Sequence, residues 1–140
     1  ILLKTGFIVA ILSAIAIGTG AVRTEVFIKR TGIDDTHFGE MVEVMAEVTA
    51  GGKTQKMYKN LPENKYFDGL GEKLGTAVFS GQPRGITVDI YDIDLDADKY
   101  DPVCHLIIWN DFERRLLIRC DRKLDDGMKP SWISYVSITK

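Results

Sequence analysis

Histidine is scarce in this chain of 140 residues, with only His37 and His105, so a histidine-rich metal site or a Ser-His-Asp triad has little material from which to be built. Cysteine is equally rare, limited to Cys104 and Cys120. Positive charge is not in excess: a formal net charge of −2 offers no basic field for a phosphate backbone, and nucleic acid is not an expected partner. Phosphate-binding loops are also missing. Gly51-Gly52-Lys53-Thr54 resembles the end of a P-loop, but Glu47 stands where the leading glycine is needed. The glycines Gly69, Gly71 and Gly75 miss the dinucleotide-binding spacing by one residue. Cys104 and His105 are neighbours that a strand would point to opposite faces, so they form no nucleophile–base dyad. No catalytic residues are identified, and a non-enzymatic protein is expected.

What the chain does have is a hydrophobic start. Residues 6–22 carry no charge, and that length lies at the short limit of a membrane-spanning helix. Within them Gly6, Ala10, Ala14 and Gly18 recur every fourth residue, a stripe of small residues of the kind that lets helices pack closely in lipid. The first residue is Ile1 rather than Met, which implies either processing just before the hydrophobic stretch or a longer chain. A retained membrane or assembly helix with its continuation is therefore expected over residues 1–31. A single α+β domain is expected over residues 32–140, an antiparallel β-sheet packed on a helix.

The spacing of Phe38, Met41, Val42, Met45 and Val48 after the capping candidates Asp34, Asp35 and Thr36 predicts an amphipathic helix, closed by Gly51-Gly52. Residues 53–75 read as a glycine-containing connector with at most a short helix around residues 67–74. From Thr76 onward, β-branched and aromatic runs predict strands. The sharpest of these is a hairpin turning at Asp111-Phe112-Glu113, in which Cys104 faces Cys120, Leu106 faces Ile118 and Ile108 faces Leu116. Directly opposed cysteines are close enough for a disulfide, and a disulfide implies an oxidising compartment outside the cytoplasm.

The densest charge feature is the run Asp89, Asp92, Asp94, Asp96, Asp98 and Asp101. Alternating carboxylates in a loop suit a hard cation such as calcium, with Asp94, Asp96 and Asp98 as the candidate ligands. The run does not follow the EF-hand pattern, since Ala97 and Val103 stand where glycine and glutamate are required.

A hydrophobic helix at the first residue, a loop-rich middle, an antiparallel sheet and a late cysteine pair together resemble the layout of the type IV pilin and pseudopilin superfamily. Thr5 stands where that family usually carries an acidic residue. The resemblance implies a membrane-anchored structural subunit that assembles into a filament through its N-terminal helix, with its domain at the cell surface or in the periplasm. Its partners would be the membrane and copies of itself or other membrane helices. The alternative is a single-pass subunit of an envelope complex, such as a secretion or phage lysis machine, whose domain binds a protein.

Overall fold

The structure is a computed structural model and describes residues 20–32, 41–94, 98–123 and 130–140. Gly6, Ala10, Ala14 and Gly18 lie outside the described residues, as does Asp96. Among the described residues there are eight strands and no helix: β1 (Ala21–Arg30), β2 (Met41–Ala50), β3 (Lys53–Pro62), β4 (Glu72–Ser80), β5 (Gly85–Asp94), β6 (Lys99–Trp109), β7 (Arg115–Lys123) and β8 (Pro130–Thr139). They form two four-stranded antiparallel sheets. Sheet I has the order β4-β1-β8-β7 and sheet II the order β3-β2-β5-β6. The expected α+β fold is therefore replaced by an all-β sandwich.

The alternation of side chains explains why. In β2, Val42, Val44, Ala46, Val48 and Ala50 are all buried, a period of two that turns every second residue towards the facing sheet. The helical spacing through Met41, Val42, Met45 and Val48 runs through the same residues, and Met45 is buried on the outer face. The β-branched valines and long-range pairing on both sides favour the strand. Val22, Thr24, Val26 and Ile28 alternate in the same way in β1, so the expected helical continuation over Val22–Arg30 is a central strand of sheet I. Each buried valine or isoleucine contributes about 1.5–3 kcal/mol, and the two inner faces supply most of the core.

Gly51-Gly52 is a hairpin turn rather than a helix end. Both residues have positive φ, 58° and 76°, as the two-residue turn between twisted strands requires, and Ala50 pairs directly with Lys53. The stretch read as a connector thus begins with β3. The short helix around residues 67–74 is likewise absent, and β4 starts at Glu72.

The cysteine hairpin is also corrected. β6 pairs with β5 and β7 pairs with β8, so the two strands sit at the edges of different sheets and residues 110–114 arch between them. Leu106 pairs with Val88 and Ile118 with Val136, each along its own sheet, while their side chains pack against the common core. A disulfide joins Cys104 to Cys120 with Cα atoms 5.9 Å apart, a covalent tie between the sheets. On the opposite side a glutamine makes the tie. Gln55 Nε2 donates to Val78 O (2.7 Å) and Gln55 Oε1 accepts from Val78 N (3.2 Å), which covers part of the open β4 edge as a neighbouring strand would.

Candidate functional site

Because all the ladders are antiparallel, alternate connections fall at the same end of the sandwich. One end receives β1–β2, β3–β4, β5–β6 and β7–β8. Of the joining segments, residues 33–40, 95–97 and 124–129 lie outside the described residues. The strands feeding them are described. Along β5, Ile86, Val88 and Ile90 point into the core, and Asp92 continues the same face at 9% exposure.

Opposite Asp92, the ladder of β6 is irregular. Ile90 pairs with Cys104 but Tyr91 pairs with Pro102, which leaves Val103 as an extra residue. Such a bulge re-aims the side chains beyond it. Here it sets Asp101, instead of Pro102, directly across from Asp92. Proline is tolerated because β6 is an edge strand. Asp94 pairs with Lys99, and Lys99 Nζ lies 3.8 Å from Asp101 Oδ2. Asp98 has a φ of 49°, a left-handed conformation that aspartate adopts more readily than most residues. Asp92 and Asp94 take part in further polar interactions.

The β3–β4 connection is fixed to this end by polar contacts. Thr31 is fully buried, and its hydroxyl donates to Pro62 O (2.6 Å) and accepts from Lys65 N (3.0 Å). Arg30 Nη1 donates to Pro130 O (2.5 Å) and Ser131 O (3.0 Å), and its guanidinium lies over the Tyr66 ring, 5.1 Å from the centroid. Gly71 has a φ of 105°, and a Cβ there would fall 2.1 Å from Ile28 O, so only glycine fits. Met41, Tyr66 and Tyr100 are exposed at this end.

The candidate residues therefore separate. Asp94 and Asp98 flank the β5–β6 connection, while Asp92 and Asp101, members of the aspartate run outside the candidate ligand set, pair directly in register. The signal was present, since Asp92 continues the period of Ile86, Val88 and Ile90. Asp89 belongs elsewhere: on the outer face of sheet II its carboxylate hydrogen-bonds His105 Nδ1. On that face Tyr91 has its hydroxyl pKa raised, first by burial and then by the charges of Asp89 and Glu47. Among the described residues no three histidine, cysteine, aspartate or glutamate side chains gather closely enough to hold a metal ion. Two facing carboxylates do supply the hard oxygen donors that calcium prefers.

No family model matches the chain, and no match is found among characterised proteins. Solved structures do match. One is a C2 domain of a plant extended synaptotagmin 1, with a TM-score of 0.55 and 13% identity, covering 86% of this chain and 92% of that one. At that identity the likeness defines the fold: the chain has a C2-like sandwich.

This overturns the pilin-like resemblance and the filament role drawn from it. The helix that a pilin continues beyond its hydrophobic start is strand β1 here, and no helix among the described residues is long and apolar enough to cross a membrane. The reading as a single-pass anchored protein of the cell surface or periplasm falls with it. So does the envelope-complex alternative, because both took their anchor and their domain architecture from the same helical layout.

Proposed function

We propose that this chain is a non-enzymatic binding module whose acidic end takes up calcium and, through the bound ion, docks on an anionic membrane surface. The observation that carries the reading is the bulge that sets Asp101 opposite the inward-facing Asp92. Two carboxylates facing each other across a ladder offer a divalent cation oxygen donors from both strands. Asp94 and Asp98 add oxygen donors beside the pair. The C2-like fold is compatible with calcium binding. Exposed Met41, Tyr66 and Tyr100 suit an interface that is apolar on one side and polar on the other.

Copies of the chain as partners were tied to Gly6, Ala10, Ala14 and Gly18, which lie outside the described residues.

Thermal unfolding in calcium and in chelator tests the reading, alongside sedimentation with phosphatidylcholine/phosphatidylserine vesicles. Calcium at about 100 times its dissociation constant adds roughly 2.7 kcal/mol to stability. The wild-type midpoint should rise accordingly, and vesicle binding should gain a calcium-dependent increment. Asp101→Asn should lose both. A wild-type midpoint indifferent to calcium and chelator would sink the proposal.

A further inference from the structure

The four edge strands of the sandwich are protected unequally. An open edge presents unpaired N–H and C=O groups to any other strand, and charge, proline or a bulge along it is the usual deterrent. β3 carries Lys53, Lys56 and Lys59, and β7 carries Arg115, Arg119, Arg122 and Lys123. β6 carries Pro102 and the bulge at Val103. From Gly75 to Ser80, β4 has no charge, no proline and no register shift. This stretch runs away from the acidic end, towards the end where the Gly51-Gly52 turn, residues 81–84 and the arch 110–114 gather. Exposed Lys53, Arg84 and Arg114 make that the basic end.

What covers the β4 edge is a side chain. Gln55 Nε2 donates to Val78 O and Val78 N donates to Gln55 Oε1, so both polar groups of Val78 point away from β1. In an antiparallel ladder that direction alternates along the strand, and Thr76 and Ser80 therefore turn their own N–H and C=O outward on either side of Val78. The Gln55 carboxamide has the donor and acceptor of a peptide group and stands where one residue of a further strand would stand. Towards the acidic end β3 closes the seam by other means. Met57 packs on Gly75, where a Cβ would fall 3.1 Å from Met57 Sδ, and Lys59 Nζ reaches Glu72 Oε2 at 3.2 Å. Towards the basic end the seam opens into a cleft of about 400 Å³ bordered by Lys53, Gln55, Val78, Ser80 and Gln82. Among the described residues, Gln55 is the one side chain hydrogen-bonded to the backbone of the Thr76–Ser80 edge.

We propose that the Thr76–Ser80 edge of β4 is a docking surface for the same edge of a second copy of this chain, and that Gln55 holds it closed. Antiparallel pairing about a two-fold axis through Val78 sets Val78 against Val78 and Thr76 against Ser80, the residues whose N–H and C=O point outward. Each such pair exchanges two hydrogen bonds, and sheet I of one copy continues into sheet I of the other. The contact is isologous, the kind that closes on two copies. It brings no like charges together, because residues 76–80 carry none, and it places two exposed β-branched side chains face to face. Gly81, with a φ of 79°, turns each chain out of the strand just past the paired stretch. The surface is separate from the acidic end and stands whether or not that end binds calcium.

The test is sedimentation velocity of the full chain across a concentration series in EDTA, which silences any calcium site. Each wild-type copy must break the two Gln55 hydrogen bonds before it can pair. Gln55→Ala removes that cost from both copies, so its dimer dissociation constant should fall by at least about 30-fold. Adding Val78→Lys sets two lysines face to face in the proposed register and should return Gln55→Ala to the wild-type value or weaker. Adding Leu117→Lys instead, at an equally exposed position on the opposite edge strand of sheet I, should leave the dimer intact. The proposal is overturned if Gln55→Ala associates no more tightly than wild type, or if Leu117→Lys disperses its dimer as well as Val78→Lys does. Hydrogen exchange reads the edge without relying on a variant. In dilute wild type the Val78 amide should exchange at least about tenfold more slowly than those of Thr76 and Ser80, each relative to its unfolded-chain rate. In concentrated Gln55→Ala all three should be slow. Equal exchange at the three amides in dilute wild type would show that Gln55 does not cover the edge, and a Gln55→Ala dimer that leaves Thr76 and Ser80 unprotected would put the contact elsewhere. Either result overturns the proposal.

Discussion

At the acidic end the strands are joined by residues 31–40, 63–71, 95–98 and 124–129, whereas at the basic end they are joined by residues 51–52, 81–84 and 110–114. The first set is mostly longer and rich in aspartate. The second is short. Sandwich topology alone sorts alternate connections to opposite ends, so a chain can give each end its own chemistry without disturbing the core between them. The two ends also differ in how they are held. The described connection at the acidic end, residues 63–71, is fixed by the Thr31 hydroxyl, which accepts from Lys65 N, by Arg30 Nη2, which donates to Asn64 Oδ1, and by the close approach at Gly71, whereas the arch at the basic end spans a disulfide.

The largest effect should come from that disulfide. It closes a loop with a sequence separation of 16, for which chain entropy gives about 3 kcal/mol. Cys104→Ala/Cys120→Ala should lower the unfolding free energy by about that amount in urea titration, because β6 and β7 are edge strands of different sheets with no ladder between them. A loss below about 1 kcal/mol would mean that packing of Leu106, Leu116 and Ile118 already holds the arch, and the covalent half of the contrast would fail. The acidic end is tested by Gly71→Ala. The added Cβ meets the Ile28 carbonyl at 2.1 Å, with the backbone in a conformation that alanine resists. A loss of about 2–3 kcal/mol is expected, together with faster hydrogen exchange at Thr31, Asn64 and Phe67, whose amides donate across the β1 contact. Unchanged exchange at those three amides would show that this connection is not clamped.

Much of this contrast was hidden in the sequence, for specific reasons. The strands from Thr76 onward were legible because their β-branched runs have no helical competitor. β2 was not, since Met41, Val42, Met45 and Val48 fit a helix while Val42, Val44, Ala46 and Val48 fit a strand. Only pairing with both β3 and β5, the latter at large sequence separation, decides between them. Gly51-Gly52 is ambiguous in the same way, because positive φ serves a helix end and a hairpin alike. The facing of the cysteines could be read from alternation, but alternation does not say whether two facing strands share a sheet. The aspartate run was plain to see. The Asp92–Asp101 pairing depends on the bulge at Val103, which leaves no mark in composition.

The smallest predicted effect lies next to the basic end, where Glu25 is one carboxylate among Lys73, Arg23 and Arg115. The hydrogen bond from Lys73 Nζ at 2.7 Å, reinforced by the charges of Lys73, Arg23 and Arg115 and opposed by partial burial, holds its carboxyl below the usual glutamate range. A carboxylate whose pKa is lower in the folded than in the unfolded protein stabilises the fold above its unfolded pKa, and that contribution is lost as pH falls through the folded value. Glu25→Gln should therefore cost about 0.2–1 kcal/mol at pH 6, the range of a partly exposed ion pair, and less as pH falls through its folded-state pKa, measured by urea unfolding of both proteins at pH 6 and pH 3. An equal cost at the two pH values would assign the residue's contribution to packing rather than charge.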